Sequence, residues 1–170
     1  MATITLRGSP VPTNGELPKV GGFAPPFTLV SRDLNDVTLK NFSGKWKVLN
    51  IFPSIDTPTC ATSVRRFNEK AQKFSNAVVI DISADLPFAM KRFCAAEGLA
   101  NVVNLSMMRG GDFAEKYGVR IQDGPLAGLT ARACMVLDKD NKVLHAEMVK
   151  ELAHEPDYES ALAVLAKDSM

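Results

Sequence analysis

Cys60 sits where an apolar run, Val48 to Phe52, gives way through Pro53-Ser54-Ile55-Asp56-Thr57-Pro58-Thr59 to an amphipathic run, Ala61 to Phe74. The order reads as strand, turn and helix, with Cys60 in the first helical turn. Position matters because the nucleophile of cysteine chemistry is the thiolate. A free thiol titrates near about 8.5 and is mostly protonated at neutral pH. The unpaired N–H groups and positive end of a helix stabilise an anion placed there. A nearby cation does the same, and the chain offers Arg65, Arg66 and Arg132. Cys60 is therefore the candidate activated cysteine. A buried, inert cysteine is the competing reading, but the flanking Pro and Thr residues describe a shaped turn rather than a core filler.

Two other cysteines are present. Cys94 follows Phe93 on a helix predicted to start near Pro87 and stop at Gly98. It is either a second reactive thiol or a half-buried helix residue. Cys134 lies in Ala133-Cys-Met-Val-Leu137, which reads as a core strand, and there it behaves as a small hydrophobe. Arg132, just before that strand, reads from position alone as a surface residue or as a partner for an anion. Met107, Met108 and Phe88 either line an apolar approach or fill the core, and core is the expectation.

The elements that must position these residues follow from pattern. Thr3 to Arg7 alternates like a half-exposed strand, and Gly8 to Gly15 is turn material, so an N-terminal β-hairpin is predicted. Short strands are expected at Phe27–Val30 and Val37–Leu39, with a loop at 41–45 before the strand Lys47–Phe52. The helix after Cys60 places Val64, Phe67, Ala71 and Phe74 on one face, with Glu69 and Lys73 paired on the other. Ala77–Ile82 is an unbroken apolar run, suited to a strand covered on both faces. Val102–Leu105 is a further strand, and Asp112 reads as an N-cap with Glu115 as its partner. Residues 133–137 and 143–147 form an antiparallel hairpin, and a helix over 156–167 closes the chain. Strands alternating with helices, then a hairpin and a helix, predict an α/β domain with a mixed sheet and helices on both faces.

Composition narrows the partners. The chain has 170 residues, 46% of them apolar and 23% charged, with a net charge of +1. That fits a single globular domain over 1–170 and favours neither nucleic acid nor a membrane surface. No signal peptide or transmembrane run is read. An odd cysteine count argues for reactive thiols in a reducing, cytoplasmic setting rather than a disulfide scaffold. The two histidines, His145 and His154, match no zinc spacing with the cysteines.

Pro53-x-x-x-Thr57-x-x-Cys60 resembles the active-site signature of peroxiredoxins, the thiol-dependent peroxidases. The string Asn50 to Thr57 looks like their thiol peroxidase subgroup. So do Ile82 to Ala89, Arg92-Phe93-Cys94, Asp123 to Leu126 and Gly128 to Arg132. The likeness covers nearly the whole chain. It implies a thioredoxin fold and reduction of hydrogen peroxide and of alkyl or lipid hydroperoxides. Cys60 would be the peroxidatic thiol, with Thr57 and Arg132 as hydrogen-bond partners and Pro53 shielding the sulfur. Cys94 would be the resolving thiol, forming an intramolecular disulfide with Cys60 after local unwinding. The resemblance also implies thioredoxin as reductant, a homodimer, with Met108 and Arg109 as candidates for the contact, and no flavin, haem or metal. A general thiol–disulfide oxidoreductase is disfavoured because the chain has no Cys-x-x-Cys. A slow redox sensor or chaperone-like role stays open.

Overall fold

The computed structural model describes residues 1–99, 102–110 and 112–169. Its order begins with a hairpin, β1 (Thr3–Leu6) and β2 (Ser9–Pro12), and continues with β3 (Thr28–Ser31), β4 (Asp36–Thr38) and a 3-10 turn over Leu39–Phe42. Then come β5 (Trp46–Ile51), α1 (Pro58–Ala71), β6 (Ala77–Ser83), α2 (Pro87–Glu97), β7 (Val103–Ser106) and α3 (Asp112–Lys116). The chain closes with β8 (Ala133–Leu137), β9 (Val143–Met148) and α4 (Tyr158–Ser169).

Seven strands form one sheet in the order β4-β3-β7-β6-β5-β8-β9. β5 runs parallel to β6 and antiparallel to β8. The β5-α1-β6 crossover followed by the β8-β9-α4 unit, with strand order β6-β5-β8-β9, is a thioredoxin fold. The expected mixed sheet and N-terminal hairpin are both present. β5 lies mid-sheet because Val48, Leu49 and Ile51 are fully buried and face alternate sides. One face packs Val48, Val79 and Val136 against Phe67 of α1 and Leu162 and Leu165 of α4. The other packs Leu49, Ile51, Ile80 and Leu105 against the β1-β2 hairpin and against Phe113 and Tyr117, in and just after α3.

Several boundaries differ from expectation. α1 starts at Pro58, which places Cys60 in the first turn as expected and adds three residues ahead of the amphipathic run, because a proline lacking an N–H and with φ preset suits a first helical position. Phe74 falls beyond α1, where it still packs beside the buried Phe67 and Val79. α4 starts at Tyr158 rather than Pro156. Asp112 is the first helical residue rather than a cap before the helix, and it pairs with Lys116. Lys73 does not pair with Glu69 as expected: it lies over the Phe74 ring, while Lys70 reaches Glu159 of α4. The expectation of core positions for Phe88 and Met108 also fails. They are 60% and 40% exposed, whereas Met107 is buried.

Gly118, after α3, has φ +70, and a Cβ there would collide with the backbone of Glu16. Gly118→Ala is expected to destabilise the protein by at least ~2 kcal/mol, from left-handed strain plus a clash that backbone cannot relieve. Urea unfolding of the variant against the parent protein measures it; an unchanged midpoint would contradict that packing.

Candidate active site

The turn before α1 is tied down on two sides. Thr57 is the N-cap, with extended backbone, and its Oγ1 accepts from Cys60 N at 3.3 Å. The same hydroxyl donates to Ser54 O. Asp85, after β6, accepts from Ser54 Oγ at 2.7 Å, Ile55 N at 2.7 Å and Ser83 Oγ at 2.6 Å. Asp85 had no role of its own in the sequence reading. The signal was its place in Ser83-Ala84-Asp85 at the end of a strand parallel to β5, which brings a carboxylate beside the neighbouring strand's exit loop.

Cys60 is fully buried in the first turn of α1. Of the three arginines that sequence offered, Arg65 is engaged by Glu97 and Arg66 by Glu155. Arg132 alone among them reaches the sulfur: Nη1 donates to Cys60 Sγ at 3.3 Å. Its Nε and Nη2 both donate to Leu152 O, at 3.1 and 2.9 Å. A guanidinium only 3% exposed is thereby aimed by a backbone carbonyl. Beside it opens a cavity of about 400 Å³, walled by Pro53 and Thr57, by Leu6 and Arg7 of the hairpin, and by Leu129 and Leu152.

Glu151 is a second residue that the sequence did not single out. Its carboxylate accepts from Ala153 N at 2.8 Å, Gly8 N at 2.9 Å and Thr5 Oγ1 at 3.0 Å. These backbone donors, Ala153 first and then Gly8, hold it at about 2, well below the usual carboxylate range. The clamp fastens the hairpin tip to the segment that carries Leu152 O.

Cys94 is buried on α2 in the same apolar cluster as Cys60, together with Phe52, Ile55, Val64 and Met90. All three cysteines are free. Asn104 Nδ2 donates to Cys94 Sγ at 2.7 Å. Burial pushes the Cys94 thiol up, partly offset by that bond. Cys134 lies in the sheet core, where burial first, then Glu147 and Asp157, raise its thiol strongly. Near Cys94 sits a fully buried carboxyl, Asp81, raised to about 7 by desolvation despite a 2.9 Å bond from Asn50 Nδ2. The sequence reading of Ala77–Ile82 as an unbroken apolar run passed over it, although a lone carboxylate inside an otherwise apolar strand is a visible signal.

A fold and site of this kind define a class, the thioredoxin-fold thiol enzymes with a helix-capped cysteine against an arginine. The family model described as Redoxin matches residues 19–162. The thiol peroxidase of Mycobacterium bovis is 56% identical over 165 residues, covering 97% of this chain and 99% of that protein. Among solved structures, a peroxiredoxin-like protein from Aquifex aeolicus is 37% identical with a TM-score of 0.91, covering 100% of this chain and 98% of that one. The thiol peroxidase from Chromobacterium violaceum is 27% identical with a TM-score of 0.91, covering 98% and 96%. The chain belongs to the redoxin family, and within it to the peroxiredoxins of the thiol peroxidase group: it is a thiol-dependent peroxidase.

Asp81 makes stability depend on pH with a definite sign. Its folded pKa, about 7, lies above the ordinary value of 3.8, so the native state prefers the neutral carboxyl. That contribution is fully present below about pH 4 and is lost as pH rises through about 7. The urea midpoint of the parent protein should therefore fall between pH 5 and pH 8 by more than that of Asp81→Asn. Parallel pH profiles for the two proteins would place the ionisation elsewhere.

Proposed function

We propose that Cys60 is the peroxidatic thiol, Cys94 the resolving thiol, and Arg132, Thr57 and Pro53 the groups that prepare the site. The observation that carries this reading is the 3.3 Å contact from Arg132 Nη1 to Cys60 Sγ, both buried, at the N-terminus of a helix and beside an open cavity. The Cys60 thiolate attacks one peroxide oxygen. An S–O bond forms, the O–O bond breaks, and the departing oxygen leaves with the electron pair and takes up a proton as water or alcohol. Arg132, always charged and rich in donors, stabilises both the sulfur anion and the developing charge on that oxygen. Thr57 fixes the helix start through its bond with Cys60 N, and Pro53 closes one side of the approach. The leucines of the cavity support organic hydroperoxides as substrates alongside hydrogen peroxide.

Cys60 is left as a sulfenic acid. The Cys94 thiolate attacks its sulfur, the S–O bond breaks, and the hydroxide that leaves is protonated to water. In the reduced protein Cys94 is held by Asn104 on the sheet side of α2, which supports local unwinding before the two sulfurs meet. A dithiol protein, thioredoxin by resemblance, then reduces the disulfide. The resemblance likewise supports a homodimer working in the cytoplasm.

Three variants test the roles with a thioredoxin-coupled assay. Cys60→Ser is expected to abolish peroxide consumption; residual turnover would move the nucleophile. Cys94→Ser should react with one equivalent of peroxide at near-parental speed and then stall as a dimedone-reactive sulfenic acid. Full cycling in that variant would reverse the assignment. Arg132→Met should slow the oxidation of Cys60 by about 10²–10³, the typical cost of removing a donor from an anionic transition state.

A further inference from the structure

Three buried polar side chains, Asn104, Asp81 and Asn50, stand in a row across the sheet face under α1 and α2. Strand register places Asn104 beside Asp81, Asp81 beside Asn50, and Asn50 beside Cys134, which continues to Glu147 on β9. Asn50 and Asp81 are fully buried and Asn104 is 4% exposed. Each amide nitrogen has a partner: Asn50 Nδ2 serves Asp81 Oδ1 and Ser63 Oγ, and Asn104 Nδ2 serves Cys94 Sγ. Three acceptor oxygens are left without a partner, namely Asp81 Oδ2, Asn104 Oδ1 and Asn50 Oδ1. Orphaned buried polar atoms are costly. One proton on Asp81 Oδ2 removes two of them, because a neutral carboxyl becomes a donor. Asn50 already presents its amide nitrogen to Asp81, so the acceptor this proton best suits is Asn104 Oδ1.

We propose that Asp81 is a positioning residue for the resolving step: its protonated carboxyl bonds Asn104, which holds Cys94 and α2 closed on the sheet, and loss of that proton releases them. The inference rests on the assignment of Cys94 as resolving thiol. The latch is closed when Asp81 is neutral. Ionisation puts a carboxylate against a carbonyl oxygen that has lost its donor, inside a dry site, and the bond to Asn104 becomes repulsion. Among the described residues, electrostatics and strand register place Cys94 on α2 near Asp81, with Cys134 and Glu147 farther along the row. From α1 the neutral Ser63 faces it through Asn50. Arg32, following β3, acts on Cys94 through its charge and favours the thiolate, whereas ionised Asp81 opposes it while Cys94 remains seated. Release therefore helps resolution in two ways: it frees the helix and takes the thiol away from a like charge. Asp81 exchanges no atom with either sulfur and contributes only through Asn104.

The experiment compares parent protein and Asp81→Asn, whose amide donates to Asn104 at every pH and so keeps the latch shut. After one equivalent of peroxide, rapid quench and mass spectrometry follow the Cys60 sulfenic acid and the Cys60–Cys94 disulfide between pH 6 and 8. The ratio of parent to variant disulfide-formation rates should rise about tenfold over that range and level off above neutrality, as one linked proton requires. The released Cys94 thiol titrates alike in both proteins, so its own ionisation cancels in the ratio. A ratio independent of pH overturns the proposal. Hydrogen exchange in the reduced proteins gives a second readout that does not depend on the role of Cys94. Corrected for intrinsic rates, α2 amides of the parent should lose about tenfold protection from pH 6 to 8, and those of Asp81→Asn should not. Equal loss, or none in the parent, likewise overturns the latch. Failure of the parent to form any Cys60–Cys94 disulfide would instead sink the resolving assignment, and the proposed role with it, even with the exchange difference intact.

Discussion

A guanidinium held out of water against a sulfur is the contact on which the site depends. Removing a charge from water is costly, and such a group survives inside a protein only when its donors are met. Arg132 meets that demand with one backbone carbonyl, Leu152 O, which takes two of its N–H groups and leaves Nη1 for Cys60. The direction of the guanidinium is therefore set by the direction of that carbonyl. Leu152 N in turn donates to Thr5 O at 2.8 Å, and Thr5 N to Lys150 O at 2.7 Å. The N-terminal hairpin is thus structural support for the arginine as well as a wall of the cavity. Glu151 completes the support by collecting donors from both segments with one carboxylate.

The sulfur side is built by different means. Asp85 gathers the exit loop of β5, Thr57 caps α1, and Pro58 starts the helix without leaving an N–H to satisfy. Each of these devices fixes backbone, so Cys60 is placed by its helix rather than by side-chain packing. The two halves meet because β5 and β8 are adjacent, with Ile51 opposite Ala133. Cys60 follows the end of β5 and Arg132 precedes the start of β8. An antiparallel pair brings those two ends to the same edge of the sheet.

The second thiol occupies a contrasting environment. Around Cys60 the hydrogen bonds are made to backbone and to a permanent cation. Around Cys94 they come from an amide and, behind it, a carboxyl whose oxygens are not all satisfied. Under the proposed roles, the thiol that must stay in place has its partners met, and the thiol that must move rests on a layer with unpartnered acceptors. That division gives the two cysteines separate mechanical characters within one apolar cluster.

Much of this was legible in the chain. Local rules identified Cys60 at a helix start, because strand, turn and helix signals are short-range and Pro and Thr act within a few residues. Alternation and apolar runs gave the sheet strands and both hairpins, although helix starts shifted by two or three residues where proline and the cap decided them. The family motif pointed to Arg132 and Cys94, which composition alone left ambiguous. What the sequence could not rank was Arg65, Arg66 and Arg132 as partners of the sulfur. All three carry the same charge, and only tertiary packing directs two of them to Glu97 and Glu155. The contacts of Glu151 and Asp85 and the neighbourhood of Asp81 and Asn104 were likewise not legible, since each joins residues distant in sequence. Periodicity along one chain reports which face a residue takes; which residue stands opposite it is decided by register between strands, and that exists only in the folded sheet.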